Sequence, residues 1–201
     1  MYKAVGTVRS RTFRVLWMLE ELGVPYDHIA EGPRSETVRK LNPLGKVPVL
    51  IEGEEVIPDS VAIITYLADK HGQFTAPAGT LARAHQDAMT QFLCDEFDAC
   101  LWSAARHSFI LPEELRVPAI KEALRWEFAR SQKELVRRMG DAPFVMGEAF
   151  TIADIMATHC GTWARNAKFE ISEPKYEDYI NRMTARPAWK RVTKLAPPPK
   201  A

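Results

Sequence analysis

The stretch Asn42-Pro43-Leu44-Gly45-Lys46-Val47-Pro48-Val49-Leu50 carries residue types that could hold a peptide. A proline just inside a strand removes a ladder donor, so it belongs at an edge or a bulge. If the Val47–Pro48 bond is cis, the chain turns sharply there, because cis is favoured only before proline. The N–H and C=O of Val47 then face outward, ready to pair with an extended peptide by strand addition. Lys46 beside them could bind a carboxylate. Further on, Asp59 and Ser60 stand at a helix start. Backbone N–H groups and the Ser60 hydroxyl suit a carboxylate there, since a helix N-terminus carries partial positive charge. Asp59 could pair with an ammonium. One end of this surface thus suits an α-amino acid head group, and the middle suits a peptide backbone. Each residue also has a plainer role: Lys46 as a solvated charge, Ser60 as a helix cap, Pro48 as a fold determinant. The combined spacing is what favours binding.

The elements that must hold these residues alternate between strand and helix signals. Residues 2–8 form a short β-rich run. From Thr12 the period changes, and Phe13, Val15, Leu16, Leu19 and Leu22 mark one helical stripe with Glu20 and Glu21 off it. Gly23 stops that helix at a C′ position and Pro25 prevents its return. Residues 26–30 read as a second strand, which makes residues 2–30 a βαβ unit. Residues 34–41 suit a short helix. Residues 47–51 and 55–57 are two strands across a Glu52-Gly53-Glu54 turn. Asp59 or Ser60 then caps a helix with Val61, Ile64, Leu67 and Ala68 on one face, ended by Gly72. The order βαβ, short helix, ββα is that of a thioredoxin-like α/β domain, placed at residues 1–74.

Gly72, Pro77 and Gly79 read as a linker, and no strand pattern follows. Residues 81–107 and 113–139 are long helical stretches broken near Pro112. Another helix begins at Thr151, and two shorter ones flank Arg186-Pro187. This predicts an all-α domain over residues 81–195, with residues 196–201 as a loose tail.

Composition narrows the partners. Of 201 residues, 46% are apolar and 26% charged, ordinary for a globular protein. Twenty-seven basic side chains against twenty-six acidic ones give a formal charge of +1, no broad field to attract nucleic acid or an acidic membrane surface. The first residues enter a strand-like run without the apolar core of a secretory signal. No apolar stretch approaches the ~20 residues of a membrane span. Cys94, Cys100 and Cys160 form no CxxC, and with five scattered histidines they make no metal-ligand spacing. These features predict a cytoplasmic protein with reduced thiols and no metal.

The segments 42-NPLGKVPVL-50 and 58-PDSVAIITYLADKHG-72, the Thr151-Ile152-Ala153-Asp154 element and the closing YINRMTARP of residues 179–187 together resemble the glutathione transferase family. The resemblance covers nearly the whole chain. It implies that Val47 pairs through its backbone with the cysteinyl part of glutathione and that Pro48 is the cis-proline. It places Lys46 near the glycyl carboxylate, and Asp59 and Ser60 at the γ-glutamyl end. Asp59 stands where many relatives carry Glu, one methylene shorter in reach. It also implies a homodimer.

In the family a side chain at the start of the first helix hydrogen-bonds the glutathione sulfur and favours its thiolate. A free thiol has a pKa of about 8.5, and lowering it by one unit takes about 1.4 kcal/mol. A hydroxyl donor together with a helix N-terminus supplies energy of that order. Ser10, four residues before Arg14, is similar to the serine-type pattern of theta-like and related bacterial members. Ser10 is therefore the first candidate, Thr12 the second and Tyr2 the third. The alternative for Ser10 is a helix cap alone. Arg11 and Arg14 add positive potential or are surface charges of structural or solvated kind. The absence of a cysteine here argues against mixed-disulfide chemistry with glutathione.

In the helical part, Thr151 and Asp154 form a capping box, with Phe150 and Ile155 at staple positions. This reads as a folding signal, so that Asp154→Ala costs roughly 0.5–2 kcal/mol and leaves glutathione affinity unchanged. The resemblance puts the electrophile pocket between the two domains, with Trp102, His107, Phe109 and Trp163 as candidates. Such aromatic residues at helical spacing also serve as core. The functions that follow are a transferase acting on small hydrophobic electrophiles in detoxification, a glutathione-dependent peroxidase or dehalogenase, and a non-catalytic protein of the same fold.

Overall fold

β1 (Tyr2–Val5), α1 (Thr12–Leu22), β2 (Tyr26–Ile29), α2 (Glu36–Leu41), β3 (Val49–Glu52), β4 (Glu55–Pro58) and α3 (Ser60–His71) follow one another in the computed structural model, which describes residues 1–196. The sheet has the order β2-β1-β3-β4, with β1 parallel to β2 and β3 antiparallel to both β1 and β4. This is the thioredoxin-like arrangement expected from the order of elements. β1 stops at Val5, short of the expected residue 8, because Gly6 turns with φ 138° and sends its N–H to the Ile29 carbonyl at 2.9 Å. β3 starts only at Val49, after a cis Val47–Pro48 bond, because Pro48 has no N–H for the ladder.

Every residue of α1 from Thr12 to Leu19 is buried, so the helix is covered all round and not on one stripe alone. One side meets α3. The other meets α9 (Pro187–Thr193), where the Trp189 ring lies 4.2 Å from that of Phe13 and 4.8 Å, edge-on, from that of Trp17. Arg186 adds a two-pronged bond to the Glu21 carboxylate at 2.6 and 2.8 Å. Arg191 bonds Glu20. Residues 184–196 therefore group with residues 1–77 as one compact unit, and residues 78–183 form the other. The expected helical domain of residues 81–195 differs from this at its last helix. The docking partners of α9 lie on α1, too far away in sequence for a local pattern to reveal. Of the expected tail, residues 197–201 lie outside the described residues.

The second unit is all-helical: α4 (Leu81–Phe92), α5 (Ala99–Ala105), α6 (Ile120–Met139), α7 (Ile152–Asn166) and α8 (Pro174–Thr184). The single stretch expected over 81–107 is interrupted by two π-helical segments, Leu93–Asp98 and Arg106–Ile110. α6 begins only after Pro118, since a proline inside a helix removes a hydrogen bond and clashes with the preceding turn. Among the described residues, no helix is long and apolar enough to cross a membrane.

α7 is the centre of this unit, with residues Ile152 to Gly161 all buried. The capping box of Thr151 and Asp154 is present. Asp154 does more than cap. Its fully buried carboxylate accepts from the N–H groups of Thr151 (2.7 Å) and Val145 (2.9 Å), and from the hydroxyls of Tyr179 (2.7 Å) and Thr151 (3.1 Å). Burial pushes this carboxyl above the ordinary aspartate range, and the four donors pull against it. The loss of roughly 0.5–2 kcal/mol expected for a cap therefore understates what the residue does.

Candidate functional site

Pro48 is buried, Val47 is half-buried and Lys46 is exposed. Their loop is held by its own polar groups. Asn42 Nδ2 donates to the Lys46 carbonyl at 3.1 Å, and Asn42 Oδ1 accepts from the Leu44 N–H at 3.2 Å. The Arg34 N–H donates to the Gly45 carbonyl at 2.8 Å, with Gly45 at φ 66° and its Cα facing the Arg34 backbone. Val47 precedes the ladder, and among the described residues its N–H and C=O have no hydrogen-bonding partner.

Gly6 joins this loop to the start of α1. A Cβ added there would stand 2.1 Å from Thr12 Oγ1 and 2.9 Å from Val47 Cβ. Only a residue without a side chain lets the two approach so closely. Thr12 in turn touches Ser10: the hydroxyls are 2.9 Å apart, and Ser10 Oγ accepts the Thr12 N–H at 3.1 Å. Ser10 Oγ is also 2.7 Å from the Thr7 carbonyl. One hydroxyl proton serves one acceptor at a time, so Ser10 donates either to Thr7 or to Thr12. The N-cap position of α1 is Arg11, with no side-chain cap bond, and Ser10 stands one residue before it, its Oγ held by the Thr12 N–H and its proton serving as a donor.

At the other end, Asp59 is the N-cap of α3, and its Oδ1 accepts from the N–H groups of Val61 (2.8 Å) and Ala62 (3.3 Å). Its backbone sits at φ 74°, ψ 129°, which L-residues avoid. Strain of this kind costs about 1–3 kcal/mol and gathers at ligand clamps. Ser60 is nearly buried, and its Oγ accepts from Arg14 Nη1 at 3.2 Å. Arg14, for which the sequence left open added positive potential or a surface charge of structural or solvated kind, is 1% exposed. Its burial comes from the packing that encloses all of α1, which the helical stripe of α1 does not signal. The structure thus brings Ser10, Thr12, Val47, Asp59 and Ser60 into one unit, and Gly6 and Arg14 are the connections that sequence reasoning missed. Invisible spacing explains Gly6: a lone glycine after a short strand has many uses.

Tyr2 lies elsewhere. Its hydroxyl pairs with His71 Nε2 at 3.0 Å, at the C-terminal end of α3, and burial raises its pKa above the ordinary tyrosine value. Its hydroxyl thus has a partner of its own, apart from the hydroxyls of Ser10 and Thr12.

The remaining candidates sit in the helical unit. Trp102 is half-buried on α5, and Phe109, in the second π-helical segment, is 68% exposed. Trp163 on α7 stands edge-on to His159 at 6.0 Å. His107 Nδ1 accepts the Val117 N–H at 3.1 Å, so a neutral ring carries its proton on Nε2 and offers a donor there.

The sheet order, the cis-proline ahead of β3 and the helices packed on it define the thioredoxin-fold class. The family profile described as "Glutathione S-transferase, N-terminal domain" matches residues 10–75. "Glutathione S-transferase U8" of Arabidopsis thaliana is 33% identical over 156 residues, covering 75% of this chain and 66% of that protein. "Probable elongation factor 1-gamma 2" of the same plant is 31% identical over 171 residues, covering 79% of this chain and 39% of that protein. The chain thus spans less than two thirds of the length of these relatives. The solved structure of the glutathione transferase URE2P6 from Phanerochaete chrysosporium, in complex with oxidized glutathione, has a TM-score of 0.83 at 24% identity. The match covers 96% of this chain and 94% of that one. The chain belongs to the glutathione S-transferase family.

Proposed function

We propose that this protein binds glutathione along residues 42–60 and turns its thiolate on small hydrophobic electrophiles, as a glutathione S-transferase. One observation carries the reading: the start of α1 bears on both ends of that stretch, through Thr12 and Gly6 on Val47 and through Arg14 on Ser60. The unpartnered N–H and C=O of Val47 pair with the cysteinyl unit, as a strand edge pairs with a peptide. Lys46 meets the glycyl carboxylate. Ser60 meets the γ-glutamyl carboxylate, and Asp59 Oδ2 meets the ammonium. Pro48 keeps the edge free of a competing ladder donor.

Ser10 supplies the donor for sulfur. Its hydroxyl proton leaves the Thr7 carbonyl or Thr12 Oγ1 and turns to the thiolate, while the Thr12 N–H keeps Oγ in place. A charge-assisted bond of this kind is about twice as strong as a neutral one, enough to lower the thiol pKa by a unit or more. The thiolate then attacks the electrophilic carbon and the leaving group departs with its electron pair. Thr12, fully buried, orients Ser10. Trp102, His107, Phe109 and Trp163 remain candidates for the electrophile pocket, in a cytoplasmic homodimer active in detoxification. Reduction of a peroxide or displacement of halide would use the same thiolate.

A second reading has its own support. The similarity extends to a protein not named a transferase, "Probable elongation factor 1-gamma 2", which supports a protein that keeps the fold without turnover. Conjugation of glutathione to a generic aryl halide separates the two. The transferase reading predicts turnover that falls at least about tenfold in Ser10→Ala, one lost hydrogen bond to a charged group. Normal turnover in Ser10→Ala moves the role to Thr12, and binding without turnover in the wild type selects the second reading.

A further inference from the structure

On α8, Lys175, Asp178, Tyr179 and Arg182 recur at helical spacing and so share one face. Together with the residues where α6 ends, they line a cavity of about 370 Å³. Small-molecule sites occupy about 300–1,000 Å³. None of the lining residues belongs to the unit that carries residues 42–60, so this cavity is no part of the proposed glutathione site. Gly140 shapes it. At φ 54° and ψ −138°, a conformation that L-residues avoid, it turns the chain out of α6, and Asp141, Ala142 and Pro143 form the second wall.

Much of the lining is apolar. Met139 and Tyr179 are buried, and Ala142 and Pro143 are half-buried. The Tyr179 hydroxyl is bonded to Asp154, so this side chain offers the cavity only its ring. The charges around it are of two kinds. Lys175 and Asp141 pair at 2.9 Å and cancel. Asp178 and Arg182 do not pair, although an acid four residues ahead of a base is the favoured order on a helix. The Arg182 guanidinium lies over the rings of Phe144 and Tyr179 instead, 5.9 and 5.5 Å from their centroids. Contacts with ring faces leave its N–H groups available. Among the described residues, neither the Asp178 nor the Arg182 side chain has a hydrogen bond or an ion pair.

We propose that this cavity binds a free α-amino acid with an apolar side chain: Arg182 takes the carboxylate, Asp178 takes the ammonium, and the side chain lies on Met139, Ala142, Pro143 and the Tyr179 ring. The spacing suits such a head group, since side chains four residues apart on a helix stand about 5–6 Å apart at Cβ. A plain carboxylic acid would be repelled by Asp178 and a plain amine by Arg182. An α-amino acid satisfies both, and its guanidinium contact has the two-pronged geometry that arginine gives a carboxylate.

The test titrates the full chain at neutral pH with L-leucine and follows backbone amide resonances. Saturable shifts are expected at residues 139–143 and 175–182, with a Kd of about 10 mM or tighter. Two analogues each lack one charge: 4-methylpentanoate has no ammonium, and 3-methylbutan-1-amine has no carboxylate. Each should bind at least about tenfold more weakly than leucine, as for one lost hydrogen bond to a charged group. L-serine keeps the head group without the apolar side chain and should also bind about tenfold more weakly. Arg182→Gln should remove the preference for leucine over the amine, and Asp178→Asn the preference for leucine over the carboxylic acid. Both side chains are exposed, so the variants should fold as the wild type does. Absence of saturable shifts with leucine, or shifts centred outside these residues, overturns the proposal. So does equal binding of leucine and any of the three other ligands by the wild type. Preferences that survive in both variants overturn it as well.

Discussion

Replacing Asp154 by alanine removes one carboxylate and strands the groups that share it. The N–H groups of Val145 and Thr151 and the hydroxyl of Tyr179 are all buried around it, at 2.7 to 2.9 Å from its oxygens. The Thr151 hydroxyl, at 3.1 Å, can rotate away. Each stranded buried donor costs about 1–3 kcal/mol. Three of them place the loss at about 3–9 kcal/mol, against about 0.5–2 kcal/mol for a helix cap alone. A domain stable by about 5–15 kcal/mol would be brought close to unfolding. Asp154→Asn keeps one acceptor oxygen and should lose roughly half as much. Urea unfolding followed by tryptophan fluorescence measures both variants against the wild type. A loss below about 2 kcal/mol for Asp154→Ala would refute the shared-carboxylate account and leave only the cap. Asp154 lies in the unit of residues 78–183, so glutathione affinity of the folded variant should be unchanged. A folded variant with weakened affinity would contradict that.

Gly6→Ala should destabilise the protein by about 2–5 kcal/mol, from strain at positive φ together with overpacking. The new methyl group would meet Thr12 Oγ1 and Val47 Cβ, so the folded variant should also bind glutathione more weakly; unchanged affinity in calorimetry would disconnect Gly6 from the site. Burial and the nearby Glu127 push the Cys100 thiol up to about 12, and Cys160 is fully buried. Iodoacetamide near neutral pH should therefore label only the partly exposed Cys94 in the native protein and all three thiols in denaturant, read by mass spectrometry. Rapid labelling of Cys100 in the folded state would show that the helical unit opens more readily than its packing implies.

Much of the first unit was legible because its punctuation is local. Gly23 and Gly72 end α1 and α3 at φ 67° and 61°, where a residue without Cβ is free to go, and the apolar stripes between them set the helices. The proline edge and the helix start at Asp59 were legible for the same reason. What escaped depends on distant partners. α9 returns to α1 through Trp189 and Arg186, and Asp154 is completed by Tyr179. Nothing local to Arg14 in the sequence signals that it packs beside Ser60. The π-helical segments leave no mark, because one extra residue in a turn only shifts an apolar stripe it does not erase.

Backbone amide resonances followed during titration with glutathione test the central claim most directly. Saturable shifts should be largest at Lys46, Val47, Asp59 and Ser60, with smaller ones at Ser10 and Thr12. No saturable shifts, or shifts confined to the unit of residues 78–183, would contradict the assignment of glutathione to residues 42–60.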